Sequence, residues 1–346
     1  MTATVWFSPA RETELREWLS ALDAGLHLDS LTVAASDASP RRYWRLQGNT
    51  GSRIVMDAPP EHNQLPAFID IQDRLLGAGL RAPQRHAQNL AQGFLLLEDL
   101  GPTTCLPVLQ TASAAEADGL MRDALATLVE LQTRVPSAEL PAYDEATVRR
   151  ELALFPQWCV QAAHGVTWGP RESQLWARVC DALVGAFAAL PQGFVYRDFM
   201  PRNLMAPATP GGALGLLDFQ DAVHGPLAYD VISLLRDAFH SWDEEQELDW
   251  AIRYWERARK AGLPWDDDFG LCWRAMEWCG LQRHLKILGL FNRLKIRDGK
   301  AQYAQDLPRF FAYAIKTATR YRELAPLVPL LDALRPGLTT DGFTLR

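Results

Sequence analysis

The stretch FVYRDFMPRNLM, residues 194–205, changes within a few positions from an apolar run to a group of charged and amide side chains. The apolar residues up to Tyr196 predict a buried strand, and Asp198 follows it. A second apolar run, ALGLLDF, delivers Asp218, and the segment MAPATPGG bridges the two runs. We therefore predict that these two runs pair as strands of one hairpin, which brings together Asp198, Asn203 and Asp218.

The spacing of these three oxygen-bearing residues is typical of kinase-type phosphoryl transfer. In that chemistry an Asp orients the attacking hydroxyl and takes its proton, an Asn five residues later binds magnesium, and an Asp at a strand end binds the metal that bridges the phosphates. Mg²⁺ prefers oxygen ligands in octahedral geometry, and fixed electrostatics stabilise the charge that spreads over the transferred phosphoryl group. The motif therefore predicts an enzyme of this reaction class.

The rest of the chain divides into a strand-rich beginning and a helical remainder. The short runs LTVAA, RYWRL and RIVMDA, separated by turn-forming segments, predict an antiparallel meander in the first hundred residues, accompanied by one or two helices. From about Ala112 to Tyr321 the helical period dominates. We expect an α+β protein with a sheet lobe over residues 1–100 and a larger, mainly helical lobe over residues 101–346 that carries the catalytic hairpin and the acceptor site.

Composition limits the classes of partner. The chain has 346 residues and a formal net charge of -7, which disfavours a general nucleic-acid surface because binding to the phosphate backbone requires concentrated Lys and Arg. No segment approaches the roughly 18 consecutive apolar residues of a membrane span, and the N-terminus lacks the pattern of a secretory signal. Five cysteines without a C-x-x-C pair indicate reduced, buried thiols. We expect a cytoplasmic protein with no nucleic-acid or membrane partner, and we infer no protein partner.

Several segments, in order along the chain, resemble a known family. YRDFMPRN and LLDFQDAVHGPLAYDVISLL resemble the aminoglycoside phosphotransferase and choline kinase superfamily. SDASPRRYWR, IVMDAPPE, FLLLEDLG, RRELALFPQW and GLQRHLKILGLFNRLKIRDGKAQYAQDLPR resemble, within it, the bacterial kinases that phosphorylate N-acetylmuramate and N-acetylglucosamine at the anomeric hydroxyl in cell-wall recycling. The resemblance implies a two-lobed protein-kinase-like fold, with ATP between the lobes and Mg²⁺ as the metal.

The resemblance also implies a role for each residue of the opening motif. Asp198 is expected to be the catalytic base, and Asn203 and Asp218 are expected to bind Mg²⁺. Asp230, in the segment AYD, is expected to anchor the catalytic loop. Tyr196 stands where the family usually carries a His. Its hydroxyl still forms hydrogen bonds, so we expect altered support for the loop and intact chemistry.

A nucleotide site is implied in the first hundred residues. SDASPRRYWR, which begins at Ser36, is expected to form the turn over the ATP phosphates. The connector between the lobes, residues 97–101, is expected to offer backbone groups to adenine, and we assign this contact to Leu97, Glu98 and Leu100.

One expected ion pair of protein kinases is missing. A strand lysine would stand in RIVMDAPP and pair with a glutamate of the next helix, but Met56 and Asp57 occupy that region and the helix is apolar at the matching positions. The absence of both partners is self-consistent, because a lone buried charge is costly. We expect Arg41, Arg42 or Arg45, in the preceding hairpin, to supply the positive charge to the phosphates.

The helical segment LQRHLKILGLFNRLKIRDGK is rich in basic residues. A basic helical face is usually solvated surface, but it also suits an anion-binding wall, because N-acetylmuramate has a lactyl carboxylate that a guanidinium binds at two points. Arg283 and His284 are our candidates for that contact. In RRELALFPQW, Glu151 is a candidate for sugar hydroxyls and Trp158 for a sugar face, although Trp158 equally suits a core position.

These features predict an ATP- and Mg-dependent kinase of the anomeric hydroxyl of N-acetylmuramate or N-acetylglucosamine. Two alternatives stay open. One is a kinase of another small alcohol, such as an aminoglycoside, choline or homoserine, although the basic C-terminal tract favours a neutral or anionic acceptor. The other is a catalytically inactive, ATP-binding regulator, which the missing strand lysine allows and the three motif residues disfavour.

Overall fold

A computed structural model describes residues 8–22, 24–35, 41–62, 65–209 and 211–334. The chain divides into two compact units: unit 1 contains Met1–Asp123 and Pro201–Asp221, and unit 2 contains Ala124–Met200 and Ala222–Arg346. Unit 1 holds a small antiparallel sheet and unit 2 is mainly helical, which confirms the predicted two-lobed α+β class. The boundary at residue 100 stays a prediction.

The strands are β1 Leu26–Ala35, β2 Arg42–Gly48, β3 Gly51–Asp57, β4 Arg85–Asn89, β5 Phe94–Glu98, β6 Gln192–Val195, β7 Leu204–Met205, β8 Gly215–Leu216 and β9 Val223–Pro226. The α-helices are α1 Pro9–Ala21, α2 Leu65–Gly77, α3 Cys105–Thr111, α4 Ala114–Arg134, α5 Glu145–Leu152, α6 Pro170–Ala189, α7 Ala228–Leu235, α8 Glu244–Lys260, α9 Phe269–Ile296, α10 Leu307–Arg320 and α11 Val328–Asp332. A π-helix spans Phe155–Ala163, and 3₁₀ turns span Pro60–His62, Pro201–Asn203, Ala301–Asp306 and Arg322–Leu327.

The sheet of unit 1 is antiparallel, with the strand order β1-β2-β3-β5-β4. Trp44 and Leu46 alternate along β2 and are buried on one face, as a period of two requires. Helix α1 begins at the N-cap Ser8, whose hydroxyl accepts a hydrogen bond from the backbone N–H of Arg11 at 3.2 Å. Leu15 and Leu19 of this helix join Trp44 and Leu46 in one buried cluster, so the helix covers that face of the sheet.

The four short strands after residue 190 do not pair as the sequence predicted. We expected GFVYRD to pair with ALGLLDF, but β6 pairs with β9, and β7 pairs with β8. Glycines explain the first pairing, because a Cβ at Gly193 would lie 2.5 Å from Leu227 Cδ2, and one at Gly225 would lie 2.8 Å from Tyr143 Cβ. Glycine at both of these paired positions lets the two neighbours pack closely against the strands.

Unit 2 is built around α9, a helix of 28 residues that is buried along most of its length. Gly289 of α9 allows the turn before the π-helix to approach, because a Cβ there would lie 2.3 Å from the carbonyl carbon of Leu154. No helix in the described ranges is long and apolar enough to cross a membrane. All five cysteines are free and buried, as predicted.

Candidate active site

The predicted catalytic loop starts where β6 ends, and the carboxylate of Asp230 binds its backbone. Asp230 Oδ2 accepts a hydrogen bond from the backbone N–H of Tyr196 at 2.6 Å, and Oδ1 accepts one from that of Arg197 at 2.9 Å. Asp230 is fully buried near the start of α7. Arg197 has a φ of 74°, a left-handed conformation that is costly for a residue with a side chain and clusters at functional sites.

Burial has the largest effect on the pKa of Asp230. It raises the pKa of this carboxyl to about 7, because the charged form is desolvated, although the two backbone N–H groups act in the opposite direction. The charge of Asp198 raises this pKa further. Asp198, the predicted base, therefore lies within electrostatic reach of the residue that anchors its own loop, and it is partly exposed.

The side chain of Arg197 reaches a buried carboxylate on α5. Its Nη2 donates to Glu151 Oε1 at 2.5 Å, and Lys286 Nζ of α9 lies 2.9 Å from the same oxygen. Gln282 Nε2 donates to Glu151 Oε2 at 2.9 Å, and the Tyr143 hydroxyl donates a second hydrogen bond to that atom. Four donors therefore occupy the acceptor positions of one carboxylate, which has about four lone-pair sites.

These donors keep Glu151 ionised. Burial alone would raise its pKa, but Lys286, Arg197 and the two neutral donors lower it to about 2. The side chain of Glu151 is 7% exposed, against 23% for Arg197 and 17% for Lys286. Glu151, a predicted sugar ligand, therefore lies beneath the two cations, and a direct hydrogen bond to a sugar would have to displace one of its donors.

The two predicted metal ligands lie on neighbouring ends of the β7–β8 pair in unit 1. Asn203 ends the 3₁₀ turn before β7, and its carbonyl oxygen accepts the backbone N–H of Leu217 at 2.9 Å. Asp218 follows directly and has a φ of 62°, the second left-handed residue with a side chain in the described ranges. The strand pairing therefore places Asn203 and Asp218 side by side, and both line the same cavity.

This pair of side chains suits Mg²⁺ in part. An amide and a carboxylate are the hard oxygen donors that Mg²⁺ takes alongside phosphate oxygens and water. Gln220 Nε2 donates to Asp218 Oδ1 at 2.9 Å, while Gln220 Oε1 is buried without a hydrogen-bond partner in the part of the chain that the structure describes. Arg41 Nη2 lies 3.1 Å from Asp218 Oδ1, so a metal would share this carboxylate with a guanidinium. No group of three or more His, Cys, Asp or Glu side chains among the described residues could hold a metal.

This cavity in unit 1 has a volume of about 390 Å³, within the usual range of small-ligand sites. Its walls combine apolar side chains with a few polar groups. The predicted adenine contacts Leu97, Glu98 and Leu100 all line it, at the end of β5 and just beyond. Arg45 and Arg202 line it as well. The structure thus brings the three predicted adenine contacts, Arg45 and Arg202 to the cavity that Asn203 and Asp218 also line.

Arg45 has a partner that sequence reasoning missed. Its Nε donates to Asp99 Oδ2 at 2.6 Å, and its Nη2 donates to the carbonyl oxygen of Gly101 at 2.9 Å. Burial would raise the pKa of Asp99, but Arg45 and other donors lower it below its ordinary value. Asp99 directly follows β5 and Asp198 comes three positions after the end of β6, so an Asp soon after a buried strand was the available signal.

The other predicted phosphate contacts are less informative. Arg42 Nη1 donates to the carbonyl oxygen of Arg41 at 3.3 Å. Ser36 lies outside the described residues. Met56 is fully buried where a strand lysine would stand, and the neighbouring Asp57 is buried and paired with Arg11 at 2.7 Å. As phosphate contacts, Ser36 and the three arginines remain predictions.

The predicted acceptor residues on α9 lie inside unit 2. His284 is fully buried, stacks on Tyr313 with ring centroids 4.9 Å apart, and has a pKa well below its ordinary value because burial and two arginines disfavour the charged ring. Arg283 is 3% exposed. Trp158 is half-buried on the π-helix. Neither Arg283 nor His284 therefore offers a surface to a carboxylate, whereas Lys286, one turn further along α9 from Gln282, does so in part.

Comparison with known proteins identifies the family of this chain. Residues 30–269 match the model of a family described as "Phosphotransferase enzyme family". A curated N-acetylmuramate/N-acetylglucosamine kinase of Pseudomonas putida is 45% identical over 308 residues, 89% of each chain, and one of Neisseria meningitidis is 43% identical over 326 residues, 94% of this chain and 96% of the relative. Choline kinase LicA from Streptococcus pneumoniae shares the fold with a TM-score of 0.63 at 12% identity, covering 90% of this chain and 99% of LicA. An ADP-bound aminoglycoside phosphotransferase, APH(2'')-Ib, has a TM-score of 0.62 at 13% identity, covering 88% and 99%. The chain therefore belongs to the phosphotransferase enzyme family.

Proposed function

We propose that this protein transfers the γ-phosphoryl group of ATP to the anomeric hydroxyl of N-acetylmuramate or N-acetylglucosamine, in cell-wall recycling in the cytoplasm. The observation that carries the proposal is its similarity to curated relatives with that kinase name, at 43% to 46% identity over 89% or more of this chain. The motif residues Asp198, Asn203 and Asp218 support it, since phosphoryl transfer needs a base and oxygen ligands of this kind.

In this proposal Asp198 acts on the acceptor. Its carboxylate orients the anomeric hydroxyl and takes its proton as the oxygen attacks phosphorus. An anomeric hydroxyl is more acidic than an ordinary alcohol because the ring oxygen withdraws electron density, so orientation is the larger part of this task. Asp230 holds the loop that carries Asp198 through the backbone of Tyr196 and Arg197.

Asn203 and Asp218 would hold Mg²⁺. When bound, the metal neutralises charge on the phosphate oxygens. The cavity beside these two residues would take the adenine, with Leu97, Glu98 and Leu100 in its wall. Arg41 and Arg45 would face the phosphates in place of the missing strand lysine. The ligands in this proposal are ATP, Mg²⁺ and one small sugar.

The test is to incubate the purified protein with Mg-ATP and N-acetylmuramate, N-acetylglucosamine, an aminoglycoside, choline or homoserine, and to follow the products by ³¹P NMR. We expect a sugar phosphate that is hydrolysed in mild acid, because anomeric phosphates are acid-labile. An acid-stable product would place the phosphate on another hydroxyl, and product from a non-sugar acceptor would move the function to another small alcohol. ATP binding without any product would contradict the kinase proposal.

A further inference from the structure

The guanidinium of Arg197 and the ammonium of Lys286 form a pair of cations at the catalytic loop. Both contact the single oxygen Glu151 Oε1, at 2.5 Å and 2.9 Å. One carboxylate oxygen therefore contacts two cations. Asp198 lies close enough to raise the pKa of both cations, together with Glu151 and against the effect of burial.

These cations also have hydrogen-bond donors to spare. An ammonium has three N–H donors and a guanidinium has five. Within the described residues, Glu151 is the side chain that Lys286 Nζ contacts, and Arg197 uses Nη2 for the same carboxylate. The two side chains are 17% and 23% exposed, so they are mostly desolvated yet reachable from solvent. Half-buried cations with unused donors favour an anion, since charge-assisted hydrogen bonds are strongest out of water.

We propose that Lys286, together with Arg197, is the specificity-determining contact for a carboxylate on the acceptor sugar. The inference rests on the proposed function and assigns a subsite to it. N-acetylmuramate has a lactyl carboxylate and N-acetylglucosamine does not, so this contact distinguishes the two acceptors. Glu151 is a positioning residue, because it holds both cations and has its own acceptor positions filled.

The test compares kcat/KM for the two sugars in wild type, Lys286→Met, Lys286→Arg and Lys295→Met. Lys295 is the matched control, since it lies exposed near the end of the same helix. We expect the ratio of kcat/KM for N-acetylmuramate to that for N-acetylglucosamine to fall about 30-fold in Lys286→Met, mainly through KM, which is the size expected for a charge-assisted hydrogen bond. Lys286→Arg should recover most of the ratio, and Lys295→Met should leave it unchanged.

A purely structural role predicts a different result. Equal losses for both sugars in Lys286→Met would overturn the specificity assignment, because they would mean that Lys286 only supports the loop. An unchanged ratio would overturn it as well. Wild type without activity on either sugar would instead refute the proposed function, and the subsite with it.

A change in the substrate tests the same contact without any variant. Wild type should phosphorylate the lactyl methyl ester of N-acetylmuramate with a kcat/KM about 30-fold below that of the free acid, because the ester has no charge for the two cations to bind. In Lys286→Met the acid and the ester should become nearly equal. Equal use of acid and ester by wild type would contradict the proposal even if Lys286→Met failed to fold.

Discussion

Asp230 Oδ1 accepts a hydrogen bond from the backbone N–H of Arg197 at 2.9 Å, and this bond helps to hold Arg197 at a φ of 74°. A left-handed residue with a side chain persists only where its surroundings stabilise it. The buried carboxylate of Asp230 therefore stabilises the strained backbone of Arg197. This backbone conformation sets the direction of the loop immediately before Asp198.

Asp230→Asn should loosen the catalytic loop. An amide has one acceptor oxygen, so one of the two backbone N–H groups would face an NH₂ group, and an unsatisfied buried donor costs about 1–3 kcal/mol. We expect kcat to fall about 100-fold and the amides of Tyr196 and Arg197 to exchange faster with deuterium. Asp249→Asn, an exposed change on α8, is the control. Unchanged exchange at these two amides would contradict the anchoring role.

Asp198→Ala should remove turnover while leaving the fold intact. A positioned base contributes about 100-fold to 10,000-fold to a rate, so kcat should fall by at least two orders of magnitude. ATP binding and the melting temperature should stay near wild type, because Asp198 is a partly exposed loop residue. Steady-state kinetics and thermal unfolding measure both effects. Near-normal turnover would exclude Asp198 as the base.

Asp218→Ala should impair metal use. Removal of one oxygen ligand should raise the Mg²⁺ concentration for half-maximal turnover and lower kcat about 100-fold at saturation. Binding of Mn²⁺ in the presence of a non-hydrolysable ATP analogue, followed by electron paramagnetic resonance, gives a readout that does not depend on turnover. Asp73→Ala, an exposed member of an ion pair on α2, should change neither quantity. Unaltered Mn²⁺ affinity would remove Asp218 from the metal site.

Arg45→Met should weaken ATP binding. Arg45 lines the cavity and pairs with Asp99, so its loss would leave a carboxylate without its main partner beside the proposed phosphate site. We expect the KM for ATP to rise about 10-fold with a smaller change in kcat, as for a lost charge-assisted hydrogen bond. Arg53→Met on β3, which contacts Thr50 and Ser52, is the control. An unchanged KM for ATP would mean that Arg45 only stabilises the segment of Asp99 and Gly101.

Sequence periodicity predicted β1, β2, β3 and α1 because their patterns are local, and it missed β4. Trp44 and Leu46 alternate in β2, and Leu15 and Leu19 recur on α1, so the sheet and its covering helix follow from neighbouring residues. The predicted pairing of the short strands after residue 190 was wrong because strand pairing depends on contacts that are not local. A run of four residues such as β6 has no local feature that selects its partner, and the decisive contacts, of Gly193 with Leu227 and of Gly225 with Tyr143, lie elsewhere along the chain.

The site shows the same limit. Asp198, Asn203 and Asp218 stand close together in the sequence, and their spacing was the signal for the predicted phosphoryl-transfer site. Glu151 and Arg197 are 46 positions apart in the sequence and come into contact only in the folded chain, so no sequence pattern predicts their ion pair. The placement of the basic helix could not be predicted for a related reason. Its composition allowed either a solvated face or an anion-binding wall, whereas most of α9 up to Asn292 is buried in unit 2, where His284 packs and Lys286 reaches the loop.

Glu151→Gln should reduce stability in a pH-dependent way. The pKa of Glu151 is about 2 in the folded protein, below its ordinary value of 4.5, so its charge stabilises the fold above pH 4.5 and this stabilisation is lost as the pH falls through 2. The shift corresponds to about 3 kcal/mol at neutral pH.

Urea unfolding of wild type and Glu151→Gln from pH 7 to pH 3 measures this dependence. The difference in free energy of unfolding should be largest at pH 7 and should fall to about half by pH 3, as linkage requires for such a shift. Glu145→Gln is the control on the same helix, because that carboxylate is 62% exposed and its ion pair with Arg149 should matter little. A difference that stayed constant over this range would show that Glu151 contributes through its shape and hydrogen bonds, with no share from its charge.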